Sequence, residues 1–139
     1  MAARVKVIET TIVCEVTFDA NLPAKSVKTV SMTLDPLEGA QHVLQVPKNE
    51  AWVVEDVYIK DTADVGADCI VEFRRNGVET ILKTDPVSTL LVSNPSRPRY
   101  GKKVLRPFDR LALRAINLAA IGAEAATTTF YVKIKRFVA

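Results

Sequence analysis

Along most of this chain, from Val5 to Val138, apolar and polar residues alternate in short runs, and each run is closed by proline, glycine, asparagine or aspartate. A period of two is the signature of a strand with one buried face. Val5 to Phe18 alternates with a slip: Val5 and Val7 share one parity, and Ile12, Cys14, Val16 and Phe18 share the other. Two strands, or one strand bulged near Glu9 to Thr11, would produce that change of face. Val27 to Leu34 sets Val30, Met32 and Leu34 against Thr29, Ser31 and Thr33, and Asp35-Pro36 stops it. His42 to Val46 predicts a short strand ended by Pro47-Lys48-Asn49-Glu50. Ala51 to Ile59 is apolar on both faces, as an internal strand would be.

The strongest local signal is Asn76-Gly77 between two β-rich runs, because a two-residue type I′ turn needs positive φ at both central positions. With those two residues as the loop, Arg75 is expected opposite Val78, Arg74 opposite Glu79, Phe73 opposite Thr80 and Val71 opposite Leu82. Thr89 to Val92 predicts another short strand. Asp109 to Ile116 places Leu111, Leu113 and Ala115 inward and Arg110 and Arg114 outward, and Thr127 to Val138 places Phe130, Val132 and Ile134 on one face. Between them, the Ala- and Leu-rich stretch up to Ala126 is broken by Gly122, which predicts a loop with at most one helical turn. The sum is a single all-β domain over residues 1–139. An antiparallel sandwich of about eight strands is expected, with a jelly roll as the first choice and an immunoglobulin-like sandwich as the second.

Composition changes this picture little. Hydrophobic residues make up 48% and charged residues 25%, ordinary proportions for a globular chain, and 139 residues suffice to bury a core without staples. No apolar run approaches the roughly 18 residues of a membrane helix, and the N-terminal residues carry no apolar signal-peptide region, so a cytoplasmic or virion location is expected. Cys14 and Cys69 lie in different predicted strands without metal-ligand spacing and are expected to be buried free thiols; a disulfide between them is the alternative.

Residues that commonly carry catalysis are sparse. The single histidine, His42, cannot assemble a histidine-rich metal centre, and no nucleophile motif accompanies it. The five glycines are scattered one to a turn, unlike a phosphate loop. Glu55 and Asp56 are sequence neighbours, so they point to opposite faces unless the strand is bulged there. Asp61, Asp64 and Asp68 lack the regular ligand spacing of a calcium loop. No enzyme, cofactor or metal is expected.

Charge singles out one segment. The net charge is +3, and between Arg97 and Arg110 the chain gathers Arg97, Arg99, Lys102, Lys103, Arg106 and Arg110 against Asp109 alone, with Tyr100 among them. Pro95, Pro98 and Pro107 stiffen it, which lowers the entropic cost of docking. It serves as a solvated loop, a protein contact or, third, a nucleic-acid contact in which the cations meet phosphates and Tyr100 stacks on a base. The candidate contact residues are Arg97, Arg99, Tyr100, Lys102, Lys103 and Arg106. A monomeric binding module, for carbohydrate or nucleic acid, is the competing class, and there Trp52, Tyr58 and Tyr100 would be the stacking candidates.

In the order of its strands, the Pro47-Lys48-Asn49-Glu50 turn, the Arg75-Asn76-Gly77 hairpin and the closing Phe130 to Val138 strand, the chain resembles small jelly-roll virion proteins. The resemblance is one of architecture and transfers no residue roles. It implies a coat, decoration or spike subunit that assembles as a trimer or larger ring, or with other structural subunits, with no membrane span.

Overall fold

The computed structural model describes residues 4–34, 37–60, 69–83 and 103–139. Among these residues there is no helix, and eleven strands form two antiparallel sheets. The strands are β1 (Lys6–Phe18), β2 (Val27–Thr29), β3 (Ser31–Leu34), β4 (Leu37–Gln41), β5 (Val43–Gln45), β6 (Glu50–Tyr58), β7 (Cys69–Arg75), β8 (Glu79–Lys83), β9 (Lys103–Leu105), β10 (Arg110–Asn117) and β11 (Ala126–Val138). One sheet runs β4-β3-β1-β11-β6-β9. The other runs β2-β10-β7-β8, with β5 also paired to β10. The two sheets enclose one apolar core, where Trp52, Phe18, Phe130, Ile12 and Met32 from the six-stranded sheet meet Phe73, Leu111 and Leu113 from the other. Burying aromatic rings of this size is the largest favourable contribution such a core makes.

The alternation expected for β10 and β11 holds. Leu111, Leu113 and Ala115 are buried, as are Phe130, Val132 and Ile134. The alanine-rich stretch after Asn117 is a loop.

Elsewhere the structure corrects the sequence reading. β1 has no slip: it is one strand paired without interruption from Lys6↔Val138 to Phe18↔Ala126. Its first residues change face pattern because they run past the core, leaving Val5, Val7 and Ile8 exposed. The expected strand from Val27 to Leu34 divides at Val30. Its first half pairs with β10 and its second half with β1, so the chain changes sheet there, while the Val30 amide stays tied to the Leu113 carbonyl at 3.1 Å. β4 was not foreseen, and His42 lies in a bend between β4 and β5, outside any strand. Thr89 to Val92 falls outside the described residues.

The bulge that does exist is in β6. Lys133 pairs with Asp56 and Ile134 with Val54, so Glu55 is the extra residue. This is why Trp52 and Val54 face the core before it and Val57 and Ile59 after it. At the hairpin, Asn76 (φ 52°) and Gly77 (φ 76°) both adopt the left-handed conformation a type I′ turn requires, and the Val78 amide closes it on the Arg75 carbonyl at 3.1 Å. The expected register fails beyond the turn: Arg75 pairs with Glu79, Arg74 with Thr80 and Phe73 with Leu82. The opposite-charge pair is therefore Arg75–Glu79, at 3.7 Å.

Candidate functional site

The described part of the basic segment begins with β9, the last strand of the six-stranded sheet among the described residues. Leu105, opposite Trp52, is buried and fastens the strand, whereas Lys103 and Val104 are exposed. The chain then reverses through Arg106-Pro107-Phe108-Asp109, with the Asp109 amide donating to the Arg106 carbonyl at 3.0 Å. Pro107 occupies the second position of this turn and Phe108 the third, with φ 70°. A positive φ at the third position is the pattern of a type II turn, where glycine is favoured because a Cβ meets the following carbonyl. Phenylalanine there costs roughly 1–3 kcal/mol and persists only where the surroundings over-determine the backbone.

The surroundings do so. The Phe108 amide donates to the Val46 carbonyl (2.8 Å), the Val46 amide to the Asp109 carbonyl (2.9 Å), and the Gln45 side-chain amide to the Phe108 carbonyl (3.3 Å). The Asp109 carboxylate accepts from the Arg106 amide at 2.8 Å and from the Asn76 side chain at 3.3 Å. Asn76 binds Arg110 in both directions, its amide donating to the Arg110 carbonyl (2.8 Å) and its side-chain oxygen accepting from the Arg110 amide (2.9 Å). Arg75 donates to the Val104 carbonyl at 2.7 Å and lies 3.8 Å from the Asp109 carboxylate. The β7–β8 hairpin of one sheet thus braces the β9–β10 turn that leaves the other. The Phe108 side chain takes no part in this bracing, and the residue is 60% exposed.

The electrostatics follow from which charges are spent. Asp109, half-buried, is committed to the Arg106 amide, Asn76 and Arg75, while Lys103, Arg106 and Arg110 are exposed and form no ion pair among the described residues. The result is an exposed ring on a braced turn, flanked in sequence by Arg106 and Arg110, whose charges have no ion-pair partner among the described residues. Chemically it offers apolar or stacking contact together with several charge-assisted hydrogen-bond donors. Of the sequence candidates, Arg106 opens the Phe108 turn and Lys103 lies in β9, which leads into it; Arg97, Arg99, Tyr100 and Lys102 lie outside the described residues. Sequence reasoning missed Phe108. Its signal was Pro107 followed by a non-glycine residue and an aspartate, a type II turn lacking its glycine.

Other candidates resolve differently. Trp52 is fully buried, with its indole N–H donating to Glu50 Oε1 at 3.2 Å, so it is a core residue. Glu50 also takes two bonds from the buried Arg136 guanidinium, at 2.7 and 3.0 Å. Burial raises the Glu50 pKa, but the hydrogen bonds from Arg136 and Trp52 and the Arg136 charge outweigh it and hold the carboxyl below its ordinary range. Tyr58 stacks on Tyr131 with centroids 5.3 Å apart. Although the strand is bulged at Glu55, that carboxylate pairs with Lys135 at 3.2 Å, while Asp56 caps the Val57 amide at 2.9 Å. Cys14 and Cys69 are free thiols in different sheets; burial pushes both pKa values up, that of Cys69 to about 12 despite a hydrogen bond with the backbone of Ile116. Among the described residues no three of His, Cys, Asp and Glu converge in a metal-binding group.

No protein-family model matches this chain, and comparison with curated proteins finds no similar sequence.

Proposed function

We propose that this protein is a non-enzymatic structural subunit of the coat or decoration kind, with a jelly-roll arrangement of its two sheets, that assembles with copies of itself in a virion. The observation that carries this reading is Phe108, an exposed aromatic held at φ 70° by the bonds of its amide to Val46 and of its carbonyl to Gln45, and by those of the adjacent Asp109 to Val46 and Asn76. A strained residue whose backbone is held by the fold but whose ring is mostly exposed is accounted for by what that ring meets outside. A ring fixed before contact loses little entropy on docking, the property of an interface anchor. Val5, Val7, Ile8, Val78 and Val104 are also exposed at this end of the molecule, which supports an apolar contact larger than a single ring. The Lys103, Arg106 and Arg110 charges would fix orientation by meeting acidic groups on the neighbouring copy. Docking of the Phe108 turn on a different surface of the next copy would be head-to-tail, and such an interface makes a ring of three or more copies where the rotation closes.

Light scattering after size exclusion, at low and high salt and with or without a short mixed-sequence oligonucleotide, tests this. A symmetric oligomer of three or more copies that is indifferent to the oligonucleotide, and is lost in Phe108→Ala, is the expected result. A monomer in every condition would overturn the reading. A salt-sensitive mass increase only with the oligonucleotide would make the segment a nucleic-acid contact.

A further inference from the structure

A second feature lies away from the Phe108 turn, where the chain changes sheet at Val30. The outward-facing residues of β1 and β3, among them Glu15, Ser31 and Thr33, form the floor of a groove of about 420 Å³. Its walls come from the corner itself. Lys28, in the middle of β2, donates to the Thr17 carbonyl, and His42, in the bend between β4 and β5, brings Nδ1 to 3.5 Å from Ser31 Oγ. The volume falls in the range of small-ligand sites, about 300–1,000 Å³.

We propose that this groove binds a neutral saccharide. The argument is one of donor and acceptor balance. Glu15 is exposed, has no ion-pair partner among the described residues and can only accept; Lys28 donates one N–H to the Thr17 carbonyl and keeps two donors for a ligand. An anion would meet the Glu15 carboxylate and a cation the Lys28 ammonium. Between them stand the hydroxyls of Thr29 and Thr33, each able to donate and accept, and those of Thr17 and Ser31, which share one bond with Thr127 (2.9 Å) and His42 (3.5 Å) respectively and keep further hydrogen-bonding capacity. A neutral polyol, whose hydroxyls also do both, satisfies all of these at once. Val13, 36% exposed, gives the C–H face of a sugar an apolar patch. Tyr131, opposite Val13, is engaged by Tyr58 and has the Lys60 ammonium 4.7 Å from its ring centroid, so recognition rests on hydrogen bonds more than on stacking. Binding without a stacking platform is weak, in the millimolar range. This site is independent of self-association and stands or falls separately from it.

Backbone amide NMR of the whole chain, titrated with lactose, maltose and cellobiose and in parallel with sialyllactose, inorganic phosphate and glycine, is the test. At least one neutral disaccharide is expected to shift amides of residues 13–17, 28–33 and 42. Glu15→Gln and Ser31→Ala should each weaken that binding about tenfold, the loss of one good hydrogen bond. Both residues face outward, so unchanged peak dispersion verifies that the variants fold, and Lys48→Gln, exposed in the turn before β6 at the Lys6 end of the sheet, should bind as the parent does. The proposal is overturned if no neutral sugar shifts these amides, if only sialyllactose, phosphate or glycine does, or if Glu15→Gln leaves sugar binding intact.

Discussion

Replacing Phe108 by glycine and by alanine should give stabilities whose order is the reverse of the usual one. Both variants delete the same ring, so whatever the partly buried ring contributes cancels in the comparison. What remains is the backbone. Alanine at φ 70° keeps the left-handed penalty of about 1–2 kcal/mol, whereas glycine does not. Glycine in turn adds freedom to the unfolded chain, worth about 0.4–1 kcal/mol against it. At the midpoints of these ranges Phe108→Gly is more stable than Phe108→Ala by about 0.8 kcal/mol, the extremes being about 0 and 1.6 kcal/mol. For a chain of 139 residues, that is a rise of about 2–4 °C in the melting temperature. Calorimetry or urea unfolding of the two variants under identical conditions measures it. At an ordinary position with negative φ, alanine would win by about 0.4–1 kcal/mol, so the sign alone decides. If the alanine variant is as stable as the glycine variant or more so, Phe108 is not held in the left-handed region and the strain argument fails. The same pair separates folding from contact, since both should be monomeric although one has a relaxed backbone. Phe108→Tyr should keep both the strain and the assembly.

Other consequences are as direct. Arg136→Met leaves the buried Glu50 carboxylate without its main partner and should cost about 3–5 kcal/mol by urea unfolding, while the double change Glu50→Leu with Arg136→Met should recover most of that loss. The depressed Glu50 pKa means the carboxylate contributes stability above its ordinary value of 4.5, lost as pH falls from there through the folded value; parent stability should therefore drop more steeply below that pH than Glu50→Gln does. Cys14 and Cys69 should be inert to a thiol reagent in the native protein at neutral pH and both react on unfolding; fast labelling of either would contradict the burial that raises their pKa values. Asn76→Ala removes the side-chain bonds to the Arg110 amide and Asp109 and should cost about 1–2 kcal/mol in melting experiments, with Trp52 fluorescence, blue-shifted and shielded from quencher in the parent, unaltered in the folded variant.

What the sequence could express was local. A strand with one wet face writes its period of two directly, so the inward faces of β10 and β11 were legible and their ends were read to within one residue. β4 was not, because Leu37-Glu38-Gly39-Ala40-Gln41 has no alternation to distinguish it from a loop. In β1 the change of parity arises from a strand outrunning its core, which a pattern cannot separate from a bulge. In β6, where a bulge does occur, Glu55 and Asp56 merely look like a polar pair in an apolar strand. The hairpin divides in the same way. Asn76-Gly77 dictates its own φ values, but the pairing of Phe73 with Leu82 is set by which side chains the opposite sheet accepts. Lys103 and Arg106 could be chosen from charge clustering. The backbone of Phe108 could not, because it is imposed by Val46 and Asn76, residues distant in sequence that reach the turn only after both sheets have formed.

That dependence also orders the arginines. Arg75, Arg114 and Arg136 belong to the fold: Arg114 meets Glu72 at 2.9 Å across β7 and β10, Arg136 holds Glu50 in the core, and Arg75 ties the hairpin to β9. Each is half-buried or buried beside a carboxylate, where losing either partner strands a charge. Arg106 and Arg110 differ. Their backbone groups brace the turn while their side chains stay in solvent, so the turn tolerates any residue at either position that can supply the same amide and carbonyl. A charge that the fold does not need, repeated on both sides of a ring whose backbone the fold must strain to present, is what contact with something outside the subunit would select. The separation is physical: charge removal at Arg106 and Arg110 should leave the stability of the subunit within about 0.5 kcal/mol of the parent, as for surface positions generally, and act only on assembly and its dependence on salt.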